Sequence, residues 1–184
     1  MPALDANVFG VNFHLAQCHV WAEAGGRSIA RVLELPTQPP RLRIERLGCA
    51  YLGLLALHQA LEAGHWVRLS SPEGTRALAP AELDDVDYRK RVQHLRDVVV
   101  HQSESIEDGD LVVDPDGPGY QAIRVTARPG SPKPVGTCLT YTEVADVLVR
   151  LESWVALHMV GRPAADRDHV SPDPKRKPKR RPIG

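Results

Sequence analysis

Residues 41–64 read RLRIERLGCAYLGLLALHQALEAG, and this stretch decides the fold. Ile44, Leu47, Tyr51, Leu54, Leu55, His58 and Leu61 recur at steps of three and four, so they share one face of a helix. Gly64 is the expected stop. Working towards the N-terminus, Pro36, Pro39 and Pro40 mark a loop. Ser28–Leu35 fits a helix or a strand equally well. Ala6–Ala24 reads as a helix with Val8, Val11, Leu15, Cys18 and Ala22 on one stripe, flanked by Phe9, Phe13, Ala16 and Val20, and with Gly25-Gly26 as its C-terminal cap.

Towards the C-terminus, residues 69–80 read as a polar loop containing SSPEG. A third helix is expected from about Pro80 to about Ser105, with Tyr88, Val92, Leu95 and Val99 inward. Its acidic start suits the helix dipole. Leu111–Asp114 and Gln121–Ala127 flank Pro115-Asp116-Gly117-Pro118-Gly119, the pattern of a small β-hairpin at about residues 110–128. Pro129–Gly136 reads as a loop. Thr140 and Glu143 form a capping-box pattern opening a last helix, whose stripe runs through Val144, Val147, Leu148, Leu151, Trp154, Val155 and His158. The expected fold class is mainly α: an antiparallel bundle of four to five helices in residues 1–162, with a hairpin inserted before the last helix. Residues 163–184 have the composition of a disordered basic tail.

The 184 residues hold 23 basic and 23 acidic side chains. Seven basic and three acidic residues lie in 163–184, which leaves sixteen basic against twenty acidic in 1–162. The body is therefore mildly acidic and offers no plain basic stripe for nucleic acid. The 42% hydrophobic content supports a packed core. No run of 18 apolar residues occurs and no secretory leader is legible, so a cytoplasmic protein with no membrane association is expected. Three scattered cysteines (Cys18, Cys49, Cys138) argue against a disulfide framework and fit a reducing compartment.

The stretch carrying the most chemistry is residues 88–106, YRKRVQHLRDVVVHQSESI. Within it Arg96-Asp97-Val98-Val99-Val100-His101 is an arginine, a polar residue, three aliphatic residues and a histidine. Allowing four to six intervening residues, an arginine also precedes a histidine at Arg89/His94 and Arg162/His169. Only Arg96 is followed by an acidic residue and an aliphatic run near a helix end. This motif resembles the signature of the HEPN superfamily, Arg-polar-x(3–5)-His, and the helical bundle over residues 6–160 is similar to the HEPN bundle. The resemblance implies a metal-independent endoribonuclease, with neither metal nor cofactor. It also implies a homodimer whose two motifs meet in a cleft between protomers. The expected context is a toxin–antitoxin or antiviral defence module, with RNA as substrate and an antitoxin or defence-complex protein as a possible partner. One HEPN subgroup carries a tyrosine two positions after the histidine; this chain has Ser103 there.

The residues support that chemistry on their own terms. RNA is cleaved without metal when a base removes the 2′-OH proton and a cation stabilises the crowded phosphate. His101 fits the general acid/base, since imidazole titrates near neutrality. Arg96 fits the phosphate stabiliser, because its planar fork matches phosphate oxygens. Asp97 lies four residues before His101 and is placed to orient it. Lys90 and His94 continue the polar stripe as candidate substrate contacts. Two alternatives stand beside this reading: a non-catalytic helical module that binds a protein partner, and a nucleic-acid binder working through the PKRKPKRRP tail. Elsewhere, Cys18 reads as a core thiol rather than a metal ligand. His58 and His158 read as core histidines, and Trp21, Trp66 and Trp154 as core or edge anchors. No GxxxxGK[ST], GxGxxG, GxSxG or HExxH motif occurs.

Overall fold

The apolar stripes become four long helices and a small sheet in a computed structural model that describes residues 6–35, 40–70, 76, 78–101, 112–114, 122–126 and 137–160. Helix α1 spans Ala6–Glu34 and α2 spans Pro40–Leu69. Both overrun the stops expected of them. Gly25-Gly26 does not cap α1, and Ser28–Leu35 is helical as far as Glu34. Gly64 does not end α2, which continues to Leu69. The glycines serve close packing instead. A Cβ on Gly25 would stand 2.9 Å from Ala56 Cβ, and one on Gly53 would stand 2.4 Å from Ile29 Cδ1. These contacts run in opposite senses along the two helices, so α1 and α2 are antiparallel.

The third helical segment is not continuous. Ala81–Leu83 forms one 3-10 turn, and α3 then spans Val86–Val100. The break has a local cause. Asp85 adopts an extended backbone, and its carboxylate accepts from the amides of Asp87 (3.0 Å) and Tyr88 (2.9 Å), starting a new helix with its own cap. Tyr88, Val92, Leu95 and Val98 are buried, so the inward stripe ends on Val98 rather than Val99. His101 closes α3, its amide donating to the Asp97 carbonyl at 2.8 Å.

The hairpin is present and larger than expected. β1 (Val112–Asp114) and β2 (Ala122–Thr126) pair antiparallel with Val113 opposite Val125. A third strand, β3 (Thr137–Thr140), pairs antiparallel with β2 in the order β1-β2-β3. Ile123 and Leu139 face each other and are fully buried, which fixes this register. Helix α4 spans Tyr141–Val160. The Glu143 amide donates to Thr140 Oγ1 at 3.0 Å, the backbone half of the expected capping box.

One core joins the elements. Leu15, Cys18, Ala22, Ile29, Leu54, Leu57, Leu61, Leu83, Leu95, Leu139, Tyr141, Leu148, Leu151 and Val155 are all buried in it. Leu148 packs at Gly25, and Leu151 packs at Gly64 beside Cys18, so α4 runs antiparallel to α1. Several residues assigned to apolar faces are exposed: Ile44 is 74% accessible, and Phe13 and Val20 are also on the surface. Arg46 is only 6% exposed. Its guanidinium donates to the carbonyls of Val32 (2.5 Å) and Leu35 (2.8 Å) and lies over the Tyr141 ring, closing the C-terminal end of α1. Among the described residues no helix is long and apolar enough to cross a membrane. The turns and loops expected at residues 36–39, 71–74, 115–119 and 129–136, the end of the third helix at 102–105, and the basic tail lie outside the described residues.

Candidate functional site

α3 carries the Arg96–His101 motif on its last turns and packs against α2, with Tyr88, Val92, Leu95 and Val98 buried. The outer face of this helix is polar. Lys90, His94 and His101 are exposed and Asp97 is half-buried, so the stripe read from the sequence is solvent-facing. Arg96 stands to one side of it. An i,i+5 pair on a helix is separated by roughly 140° around the axis, so Arg96 and His101 project in different directions from α3.

Arg96 is turned towards α2. Its Nη2 approaches His58 Nε2 at 3.4 Å, and its Nη1 meets Asp97 Oδ1 at 2.7 Å. The side chains of Arg96 and Asp97 are 26% and 43% accessible, so the pair is partly screened by water and contributes on the order of 1 kcal/mol or less. A guanidinium can only donate, so in this contact His58 Nε2 takes the acceptor role. Burial lowers the pKa of His58 first, and the Arg96 charge lowers it further; Glu62 and Asp97 oppose the shift. The imidazole therefore stays neutral at physiological pH and can hold the guanidinium as an acceptor.

Of the residues expected to act, the structure brings Arg96 and Asp97 into direct contact and leaves His101, His94 and Lys90 on the accessible face. His58 is the partner sequence reasoning missed. It lies on the same apolar stripe as Leu54 and Leu61, and nothing local to α2 shows that an arginine on another helix reaches it.

Elsewhere, the Cys18 thiol is buried against α2, donating to the Ala60 carbonyl at 3.3 Å, and burial raises its pKa to about 12. Trp154 is buried and Trp21 partly so, whereas Trp66 stands on the surface. Among the described residues no group of three or more His, Cys, Asp or Glu side chains is placed to hold a metal ion. No protein-family model, no curated protein and no solved structure matches the chain.

Proposed function

We propose that the chain is a HEPN-like, metal-independent endoribonuclease of a toxin–antitoxin or defence module, acting on RNA as a homodimer. The observation that carries this reading is that the last turns of α3 bear both a solvent-exposed imidazole, His101, and a guanidinium, Arg96, the latter held by Asp97 and His58. In the reaction His101 takes the proton of a ribose 2′-OH. The 2′-oxygen bonds to phosphorus, the bond to the 5′-oxygen breaks, and a protonated histidine supplied by the second copy gives its proton to that oxygen. The products are a 2′,3′-cyclic phosphate and a 5′-hydroxyl. Arg96 stabilises the charge gathering on the phosphate oxygens. The roughly 140° divergence of the two side chains is the reason for a dimer: each phosphate would be met by residues of both copies. His58 acts as a positioning residue for Arg96.

The test is cleavage of a structured RNA in EDTA by wild type, Arg96→Ala and His101→Ala, with helical circular dichroism as the fold control. Each variant is expected to lose cleavage at unchanged helicity. Cleavage that survives both substitutions removes the reading. The second reading, a non-catalytic partner-binding module, is favoured by the engagement of Arg96 with Asp97, an ion pair that already partly neutralises the guanidinium. A wild-type protein inert on RNA, with Arg96→Ala destabilised, supports it.

A further inference from the structure

A groove of about 210 Å³ runs between α1 and α2 on the side of α2 next to His58. It is too small for a drug-sized ligand. Its floor is aromatic: the Trp66 indole is 54% exposed and lies nearly parallel to the His14 imidazole, at 15° with centroids 5.8 Å apart. A large indole left this open on a helix that buries most of its apolar residues is a stacking platform for a planar ring. Among the described residues its polar side chains, besides the indoles, are His14, Gln17, Gln59 and Glu62, and Gln59 can either donate or accept. Gln17 Oε1 accepts from Trp21 Nε1 at 3.1 Å, so the amide nitrogen of Gln17 is the end offering donors to a ligand. Among the described residues Glu62 is the only carboxylate lining the groove, and it offers acceptors alone. Among the described residues no lysine or arginine lines it, so the chemistry on view is that of a base rather than a phosphate.

We propose that this groove is a guanine-binding subsite, with the base stacked on Trp66 and its Watson–Crick edge read by Glu62 and Gln17. Guanine presents two adjacent donors, N1–H and N2–H₂, to a carboxylate and one carbonyl, O6, to an amide donor. Adenine and cytosine turn a ring-nitrogen acceptor towards the carboxylate, which repels it, and uracil offers a single donor. Stacking of unpaired bases on aromatic side chains, with hydrogen bonds to their edges, is how single-stranded RNA is read in sequence. Glu62 lies one helical turn from His58, the residue that holds Arg96, so the subsite borders the proposed cleavage site. In placing the base beside a scissile phosphate the inference rests on the ribonuclease reading; the binding itself does not.

The test is titration of the full chain with GMP and with AMP, following the indole N–H signals of Trp21 and Trp66 by NMR, with buried Trp154 as internal control. GMP is expected to shift both groove indoles and bind about tenfold or more tightly than AMP, the discrimination ordinary for a bidentate base contact. Glu62→Gln should abolish the preference. Trp66→Ala, read at Trp21, should weaken binding about tenfold or more. Equal binding of the two nucleotides, a preference that survives Glu62→Gln, or response only to a peptide of residues 171–182 overturns the proposal. The last result would make the groove a dock for a basic, proline-rich segment. Repeating the titration on Arg96→Ala separates the two readings: GMP binding must persist there even though cleavage is gone.

Discussion

The Arg96 guanidinium and the His58 imidazole meet at 3.4 Å across the α2–α3 contact, 38 residues apart in sequence. The contact joins a permanent cation to a titratable ring. It is stable only while that ring is neutral, because a protonated His58 offers Arg96 no acceptor and repels it. The position of the proposed phosphate-stabilising group is thus shared between Asp97 on its own helix and a side chain on another.

Removing the cation should release the ring. Arg96→Gln deletes the second cause of the lowered His58 pKa and leaves burial, the larger one. The His58 pKa is expected to rise in the variant. NMR titration of the ring carbons measures it; a pKa unmoved or lowered by the substitution contradicts the contact.

The same linkage makes stability depend on pH. The folded pKa of His58 lies below its ordinary 6.5. The unfolded chain therefore binds the proton first as pH falls, and the contribution of His58 is whole above about pH 6.5 and lost as pH drops through the folded value. Urea unfolding at pH 7.5 and 5.5 should show a loss of stability on acidification that shrinks in His58→Gln. An equal loss in both proteins would falsify this assignment.

Gly25 and Gly26 are adjacent and should respond in opposite senses to the same substitution. Alanine at Gly25 would set its methyl 2.9 Å from Ala56 Cβ, which cannot rotate away, so the helices must part. A destabilisation of about 1–3 kcal/mol is expected. Alanine at Gly26 meets nothing within 4 Å and should stabilise α1 by about 0.5–1 kcal/mol through helix propensity. Thermal melts of the two variants decide the matter by the sign of each shift.

Arg46 is a buried cation whose removal strands the carbonyls it serves. Arg46→Ala should cost about 1.5–3 kcal/mol, the range for hydrogen bonds to a charged group. Arg46→Met, which keeps an apolar stem but not the donors, should recover only part of that. Chemical denaturation of the pair measures it, and a near-neutral Arg46→Ala contradicts the capping role of the contacts to Val32 and Leu35.

The three thiols should react in order of exposure. Burial raises the Cys18 pKa to about 12, and the side chain is enclosed by α2, while Cys49 and Cys138 are half-buried. With a thiol reagent at pH 8, Cys18 should be modified only as the protein unfolds. Mass mapping of modified peptides checks this; early labelling of Cys18 excludes the packing described for α1 and α2.

The helical class, the hairpin and the cap at Thr140 were legible because each is written in local terms: periodicity, turn residues, and a hydroxyl three positions before a glutamate. The helix ends were less so. Gly25 and Gly64 have the look of stops, and only the helix lying across them shows that they are there for closeness. Asp85 worked the other way, breaking a pattern that looked continuous through two hydrogen bonds of its own carboxylate. β3 escaped because four residues, Thr137–Thr140, are too short for alternation to register, and its evidence is the Ile123–Leu139 pair across the sheet. At the site, the polar stripe of α3 was readable from spacing, but the partner of Arg96 was not. Contact between residues 58 and 96 depends on how two helices pack, which one-dimensional periodicity does not encode.

Thr140 is at once the last residue of β3 and the hydroxyl cap of α4. The strand passes its direction to the helix without a single spare residue. One added residue at this junction would therefore take Thr140 away either from its pairing with Ala122 or from the amide of Glu143, so sheet and 20-residue helix share a single permitted chain length.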